Sequence, residues 1–138
     1  MADRVRQVEY FYVMVPDRPG ESFRVLSALR DAGVLLLAYH AFPTGGGQAQ
    51  IDLVPADVGR FRQAARDAGL SLVGPKGAFF IEGEDRVGAA AEHTGKLAGA
   101  GINIVAATAL GAGAGRYGMI IWVAQQDVAR AAAALGAS

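Results

Sequence analysis

The segment Asp17-Arg18-Pro19-Gly20 is followed, 68 residues later, by Asp85-Arg86-Val87-Gly88, and this repetition indicates how the chain is built. Two further pairs of segments keep the same offset: Ala32-Gly33-Val34 with Ala100-Gly101-Ile102, and Gly45-Gly46-Gly47 with Gly113-Ala114-Gly115. Two copies of this length are too few and too long for most solenoid arrays. The sequence therefore predicts a duplicated small domain, and ligand sites often lie between domains.

The composition excludes several classes of protein. The chain has 138 residues, a formal net charge of zero, 52% hydrophobic residues and no cysteine. A half of this size buries only roughly 60% of its unfolded surface, so each half is expected to need the other or a second chain. Scattered basic residues predict neither a nucleic-acid nor a membrane partner. The absence of cysteine excludes disulfides and thiolate metal sites, and the absence of a signal-like apolar run predicts a cytoplasmic protein.

The first copy, predicted to occupy residues 1–74, has the pattern of a β-α-β-β-α-β unit. The predicted strands are 8–15, 34–42, 48–54 and 70–73, and the predicted helices run from the Asp17 turn to Gly33 and over 58–69. Asp17 is predicted to cap the first helix and Pro19 to lie in its first turn, with Gly33 as the glycine that ends it. In strand 48–54, Gln50 and Asp52 alternate with apolar residues, which predicts one face exposed to water.

The second copy, predicted to occupy residues 75–138, repeats this pattern without its last strand. The predicted strands are 78–81, 102–110 and 116–123, and the predicted helices are 87–101 and 128–135. Strand 78–81 is thereby expected to have an unpaired edge, and the segment Met119–Val123 is apolar on both faces. Both features predict a surface that is covered in an oligomer. Each copy is expected to form an antiparallel sheet with its helices on one face, an α+β, ferredoxin-like arrangement.

The repeated turn admits two interpretations. In the structural one, Asp17 caps a helix and Gly20 relieves backbone crowding. In the functional one, N–H groups at the helix N-terminus hold a carboxylate, and the glycine lets the ligand approach the backbone. The glycine-rich stretches 45–47 and 111–115 lie between strands and lack the ending of a P-loop, so they are predicted to be hairpin tips.

The sequence contains few residues in patterns typical of a catalytic site. His40 lies near the end of a strand and His93 lies in a helix beside Glu92, and neither has a cysteine or serine-elbow partner. Acylphosphatases, which share this fold class, use a loop arginine and a later asparagine, for which the candidates are Arg18, Arg86 and Asn103. Their glycine-rich loop ending in Phe-Arg is missing, so that activity is not favoured. We expect no catalytic residue, no cofactor and no metal.

With this order of elements, Asp-Arg-Pro-Gly at the first turn and Ala-Gly-Ile-Asn-Ile over 100–104, the chain resembles tandem ACT-domain proteins across residues 8–74 and 76–136. ACT domains are regulatory modules that bind small ligands, most often amino acids, at interfaces between paired ACT units. The resemblance implies a non-catalytic, amino-acid-binding regulatory module that acts as a homodimer. The alternative is an oligomerisation or partner-binding adaptor whose ligand site has decayed.

In serine-responsive ACT domains, an Asn-Arg-Pro-Gly loop of one unit faces an asparagine at the start of the second strand of its partner. The resemblance therefore assigns a ligand-binding set: Asp17, Arg18, Pro19, Gly20, Glu21 and Asn103. The reverse pairing gives weaker second-site candidates: Asp85, Arg86, Gly88 and Leu35. Because leucine stands where the asparagine is needed, one competent site per chain is expected if the copies pair through their second strands. Asp17 is expected to face the ammonium group of the ligand, and the N–H groups around Gly20 and Glu21 are expected to bind the carboxylate of the ligand.

Overall fold

A computed structural model describes residues 2–138 as an α+β chain with six strands, four α-helices and a short 3-10 helix at Gln125–Asp127. The described residues form two compact units, Glu9–Lys76 and a second composed of residues 2–8 together with 77–138. We call these the first and the second unit. Residues 2–8 thus pack with the second copy of the repeat, although they lie at the start of the predicted first copy, 1–74. No helix among residues 2–138 has both the length and the apolar character that crossing a membrane requires.

The elements follow the predicted order with one correction. The strands are β1 (Arg4–Pro16), β2 (Leu36–Gly45), β3 (Gln48–Pro55), β4 (Val73–Glu84), β5 (Ile104–Gly113) and β6 (Arg116–Val123). The helices are α1 (Glu21–Asp31), α2 (Val58–Asp67), α3 (Ala89–Gly99) and α4 (Val128–Leu135). The separate strands predicted at 70–73 and 78–81 are wrong, because β4 is one strand. Pro75 sits within it, since its fixed φ suits extended backbone.

In the first unit, one face of the sheet and two helices enclose an apolar core. The strand order is β2-β3-β1, with the start of β4 next to β1. Phe11, Val13 and Ile51 point toward the helices, and Phe11 packs on Phe61 of α2 with ring centroids 5.1 Å apart. Gly33 has a φ of +74° directly after the C-cap of α1, which confirms the predicted end of that helix.

In the second unit, the start of β1 takes the place of the missing fourth strand. The strand order is β5-β6-β4, with β1 next to β4, and residues 4–8 of β1 belong to this unit. Val5 packs in the same core cluster as Phe79 and Ile81, and Arg6 forms an ion pair of 2.9 Å with Glu82. The expectation of an unpaired edge beside β4 is therefore wrong, because a segment far away in sequence covers it.

The two-faced apolar segment of β6 is buried within a single chain. Every residue from Met119 to Val123 is at most 6% exposed. The expectation that this segment marks a surface covered only in an oligomer is therefore wrong: its apolar faces already lie inside the folded chain.

Asp52 in β3 is also buried, at 5% exposure, so the predicted wet face of that strand is wrong at this position. Gln50 donates a hydrogen bond of 2.9 Å from Nε2 to its Oδ1. Burial raises the pKa of Asp52 above its ordinary value of 3.8, although the Gln50 hydrogen bond and the charges of His40 and Lys76 oppose this. Ionised Asp52 consequently lowers the free energy of unfolding, because burial disfavours its charge.

Both glycine-rich stretches are hairpin tips, as predicted. The tip between β2 and β3 has positive φ at all three glycines, 45–47. The tip between β5 and β6 has positive φ at Gly113, Ala114 and Gly115. Glycine adopts this left-handed backbone at little cost, so both sequences suit tight reversals.

Candidate functional site

Each unit has a cavity at the turn that follows its first repeat strand. The first-unit cavity, of about 200 Å³, is lined by Val15, Pro16, Asp17, Arg18, Glu21, Ser22, Ala41, Phe42, Pro43 and Ala49. The second-unit cavity, of about 270 Å³, is lined by Asp85, Arg86, Gly88, Ala89, Ala90, Ala91, Ala109, Leu110, Gly111 and Tyr117. Most lining positions correspond at the offset of 68 residues, so the two cavities are the same feature of the repeat.

The hairpin tip of each unit fixes the backbone of its turn. The N–H of Asp17 donates to the carbonyl of Gly47 at 2.9 Å, and the N–H of Asp85 donates to that of Gly115 at 2.8 Å. The two repeated motifs, the Asp-Arg turn and the glycine-rich tip, therefore form one structure in each copy. In the sequence, the turn and the tip are separated by the same number of residues in both copies, as expected if they are in contact in each copy.

Asp17 does not cap α1, contrary to the prediction. The N-cap is Gly20, with a φ of 93°, and no side chain bonds to the helix start there. Gly88 is the equivalent N-cap of α3, with a φ of 85°. Pro19 lies in the turn before α1 rather than inside the helix. Because a left-handed residue directly precedes the helix, the turn carries Asp17 away from the first free N–H groups and leaves its side chain on the cavity wall.

In the first unit, Glu21 places a carboxylate at the start of α1. Its oxygens accept hydrogen bonds of 2.9 Å from Arg18 Nε and 2.9 Å from Arg24 Nη2. The hydrogen bond from Arg18, followed by that from Arg24, holds the pKa of Glu21 below its usual value. A ligand carboxylate at this N-terminus would meet the like charge of Glu21. Arg18, whose side chain is 67% exposed, is a cationic residue on the wall of this cavity.

In the second unit, Asp3 forms an ion pair with Arg86, the arginine of the repeated turn. Its Oδ1 and Oδ2 accept hydrogen bonds of 2.9 Å and 3.0 Å from the two Nη atoms of Arg86. His93 Nε2 lies 2.7 Å from Asp3 Oδ2, and the Tyr117 hydroxyl donates to the same oxygen. The side chain of Asp3 is 3% exposed and that of His93 is 1% exposed. His93 is thus a buried structural residue.

The pKa values of this cluster shift as a buried ion pair requires. The Arg86 hydrogen bonds, more than any other contact, hold the pKa of Asp3 well below its ordinary value of 3.8. Burial, followed by the Asp3 carboxylate, raises the pKa of Tyr117 above its usual range. Asp3, Glu92 and His93 have possible metal-ligand atoms within 4.8 Å of one another. Since Arg86 already balances the charge of Asp3, their chemistry is that of an ion-pair network rather than of a cation site.

Leu35 and Asn103 lie far from the cavities of their own units. In the first unit, Leu36 pairs with Pro55, whereas Gly45 pairs with Gln48 beside the Asp17 turn. Leu35 is therefore at the opposite end of the sheet, and it is 68% exposed. Asn103 has the same position before β5 and is also exposed. A loop could meet either residue only if it came from outside that unit, so the pairing of loop 16–20 with Asn103 stays a prediction.

No family model matches the chain, and no curated protein matches it. Solved structures do match. Protein BT0572 from Bacteroides thetaiotaomicron has a TM-score of 0.76 at 16% identity, covering 97% of this chain and 88% of that one. The regulatory subunit of aspartate kinase from Thermus thermophilus, in a ligand-free form, has a TM-score of 0.60 at 18% identity, with coverage of 98% and 93%. The corresponding subunit from Thermus flavus has a TM-score of 0.62 at 17% identity, with coverage of 98% and 94%.

These matches extend over nearly the whole chain, and two of them are to regulatory subunits. The resemblance inferred from the repeated turn is thereby confirmed at the level of the fold, which is the tandem ACT-like, ferredoxin-like arrangement. Fold alone does not assign a ligand.

Proposed function

We propose that the protein is a non-catalytic regulatory module that binds a small amino acid in the first-unit cavity. The observation that carries this proposal is that Asp17 and Arg18, adjacent residues of opposite charge, line one cavity of about 200 Å³. An amino acid presents an ammonium group and a carboxylate at a similarly short separation. The similarity to regulatory subunits of aspartate kinase supports a regulatory role.

The walls of the cavity suggest how such a ligand is held. Asp17 attracts the α-ammonium group and Arg18 the α-carboxylate, because charge-assisted hydrogen bonds are the strong ones. Ser22, whose Oγ accepts a hydrogen bond of 2.8 Å from the Tyr39 hydroxyl, adds a polar group. The remaining wall is mainly apolar, with Val15 and Phe42 among its members. A ligand with a short side chain fits this lining best.

We also propose that the chain acts as a homodimer. Large apolar side chains remain exposed along the outer strands of both units: Leu35 and Tyr39 near or on β2, and Val105 and Leu110 on β5. Exposed outer strands with apolar side chains favour pairing with another chain. Such pairing would also bring residues of one unit to the loops of another, as the predicted role of Asn103 requires.

A thermal-shift screen with the proteinogenic amino acids tests the binding proposal. Ligand at 100 times its Kd should stabilise the protein by about 2.7 kcal/mol. The variants Asp17→Ala and Arg18→Ala should remove the shift, while Asp31→Ala, which changes an exposed carboxylate at the far end of α1, should keep it. Asn103→Ala should also remove it and Leu35→Ala should not. If no amino acid raises the Tm, the binding proposal fails.

The second candidate is an adaptor that associates with proteins and binds no small ligand. The exposed apolar side chains of β2 and β5 favour it, because they require no occupied cavity. Light scattering together with the screen separates the candidates: a dimer that responds to no amino acid supports the adaptor. A monomer of the 14.3 kDa mass of the chain would contradict the homodimer in both schemes.

A further inference from the structure

Three positions near the loop arginine differ between the copies in a coordinated way. At the offset of 68 residues, the pairs are Val15 with Gly83, Val25 with His93, and Ala49 with Tyr117. In the first unit all three are apolar, and Val15 and Val25 are 5% and 0% exposed in its core. In the second unit they are replaced by a residue without a side chain and by two with polar hydrogens. The same three positions are therefore filled by apolar side chains in the first copy, whereas in the second copy they provide space and polar groups. We call this place in the second unit the niche.

Gly83 provides the space of this niche. A Cβ at Gly83 would lie 2.7 Å from Asp3 Cγ and would overlap Asp3 Oδ1. No side chain is compatible with that approach while Asp3 is in place. The φ of Gly83 is not in the left-handed region, so the glycine is required for room rather than for its backbone freedom. In the first unit, the side chain of Val15 fills the corresponding position.

The other groups supply hydrogen bonds to a single acceptor. A carboxylate only accepts, so the 2.7 Å contact requires the Nε2 of His93 to carry the proton. Tyr117 donates its hydroxyl to the same oxygen, and Arg86 donates from both Nη atoms. Four donors thus converge on one buried carboxylate, in a geometry selective for a planar anion.

We propose that the second unit contains a carboxylate-binding niche, formed by Gly83, Arg86, His93 and Tyr117, whose resident occupant is Asp3 of the same chain. The niche lies beside the second-unit cavity, since Arg86 and Tyr117 line both. While Asp3 holds Arg86, that cavity has no free arginine for a ligand carboxylate. When Asp3 is removed, the niche becomes a site for a small monocarboxylate. This proposal is independent of amino-acid binding in the first unit.

Chemical rescue of Asp3→Ala tests this proposal. The substitution removes the carboxylate and leaves a gap of the size of formate. We expect the Tm to fall by roughly 5–10 °C, as for loss of a buried, hydrogen-bonded charge. Sodium formate should then restore most of that loss in a saturable manner. Acetate should restore less, because its methyl group meets the methyl group that the substitution leaves on the backbone. Sodium chloride at the same ionic strength should restore little.

Wild type and Asp31→Ala provide the matched controls, and formate should act on both no more than chloride does. An unchanged Tm for Asp3→Ala, or equal effects of formate and chloride, would overturn the niche. If Asp3→Ala does not fold, the wild-type chain decides by ¹⁵N NMR of the imidazole of His93. Protonation at Nε2 supports the niche, and a neutral ring protonated at Nδ1 overturns it.

Discussion

Gly83 and Asp3 are in such close contact that a Cβ on Gly83 would lie 2.7 Å from Asp3 Cγ and overlap one carboxylate oxygen. Gly83→Ala should therefore expel Asp3 and lower the free energy of unfolding by about 2–4 kcal/mol, since the buried donors lose their acceptor. Gly118→Ala is the control on the neighbouring strand: the nearest atom to a Cβ there is 4.0 Å away, so a change within about 0.5 kcal/mol is expected. Chemical denaturation measures both.

The double variant Asp3→Ala/Gly83→Ala distinguishes expulsion of Asp3 from simple strain in β4. If Gly83→Ala acts by displacing Asp3, the double variant should be about as stable as Asp3→Ala alone, because the two changes remove one interaction. Additive losses would show that Gly83 is needed for another reason.

The pH dependence of stability should carry the signature of Asp3. Its pKa is lower in the folded chain than the ordinary value of 3.8, chiefly because of Arg86. The unfolded chain therefore binds the proton first. The stabilisation is complete above about pH 5 and decreases as the pH falls below 3.8 toward the lower, folded pKa. Asp3→Asn should lack this component, so its stability should approach that of wild type in acid. A constant difference between about pH 7 and pH 3 would contradict the assignment.

Asp52 should show the opposite sign. Its pKa is raised in the folded chain, chiefly by burial, so the ionised form is disfavoured there and reduces stability above the ordinary pKa of 3.8. Asp52→Asn should therefore stabilise near pH 7 by a few tenths to about 1 kcal/mol, because its amide oxygen still accepts the hydrogen bond from Gln50. Urea denaturation at about pH 7 and about pH 3.5 measures the gain, which should shrink in acid. Destabilisation at neutral pH would mean that His40 and Lys76 stabilise the carboxylate more than burial destabilises it.

The repeat predicted much of the fold because its signals are local or keep a fixed offset. Short segments with specific backbone conformations mark several of its features: the Asp17 turn, the end of α1 at Gly33 and both glycine-rich hairpin tips. Asp3 carried no such signal: a single acidic residue near a terminus has no pattern. The departure at Gly83, where the first copy has Val15, was the available clue, and its meaning depends on which distant segment lies against it.

The dependence on distant segments also explains why the sequence did not predict residues 4–8 as part of β1. The sequence pattern of the second copy does not say what covers β4. Residues 4–8 do so because β1 is longer than its most apolar part, 8–15, and its start packs in the core of the second unit. Such long-range pairing is decided by the packing of the whole unit, which local periodicity does not report.

Val5 offers a direct test of that strand. It is 8% exposed and packs in the core of the second unit. Its carbonyl also accepts a hydrogen bond of 3.1 Å from the N–H of Ser138, which fixes the segment. Val5→Ala should cost about 1–2 kcal/mol of unfolding free energy, because it removes buried methyl groups and leaves a small void. Val105→Ala deletes the same groups from a side chain that is 66% exposed and should cost less than about 0.5 kcal/mol. Equal, small costs for the two variants in urea denaturation would show that residues 4–8 do not contribute to the core.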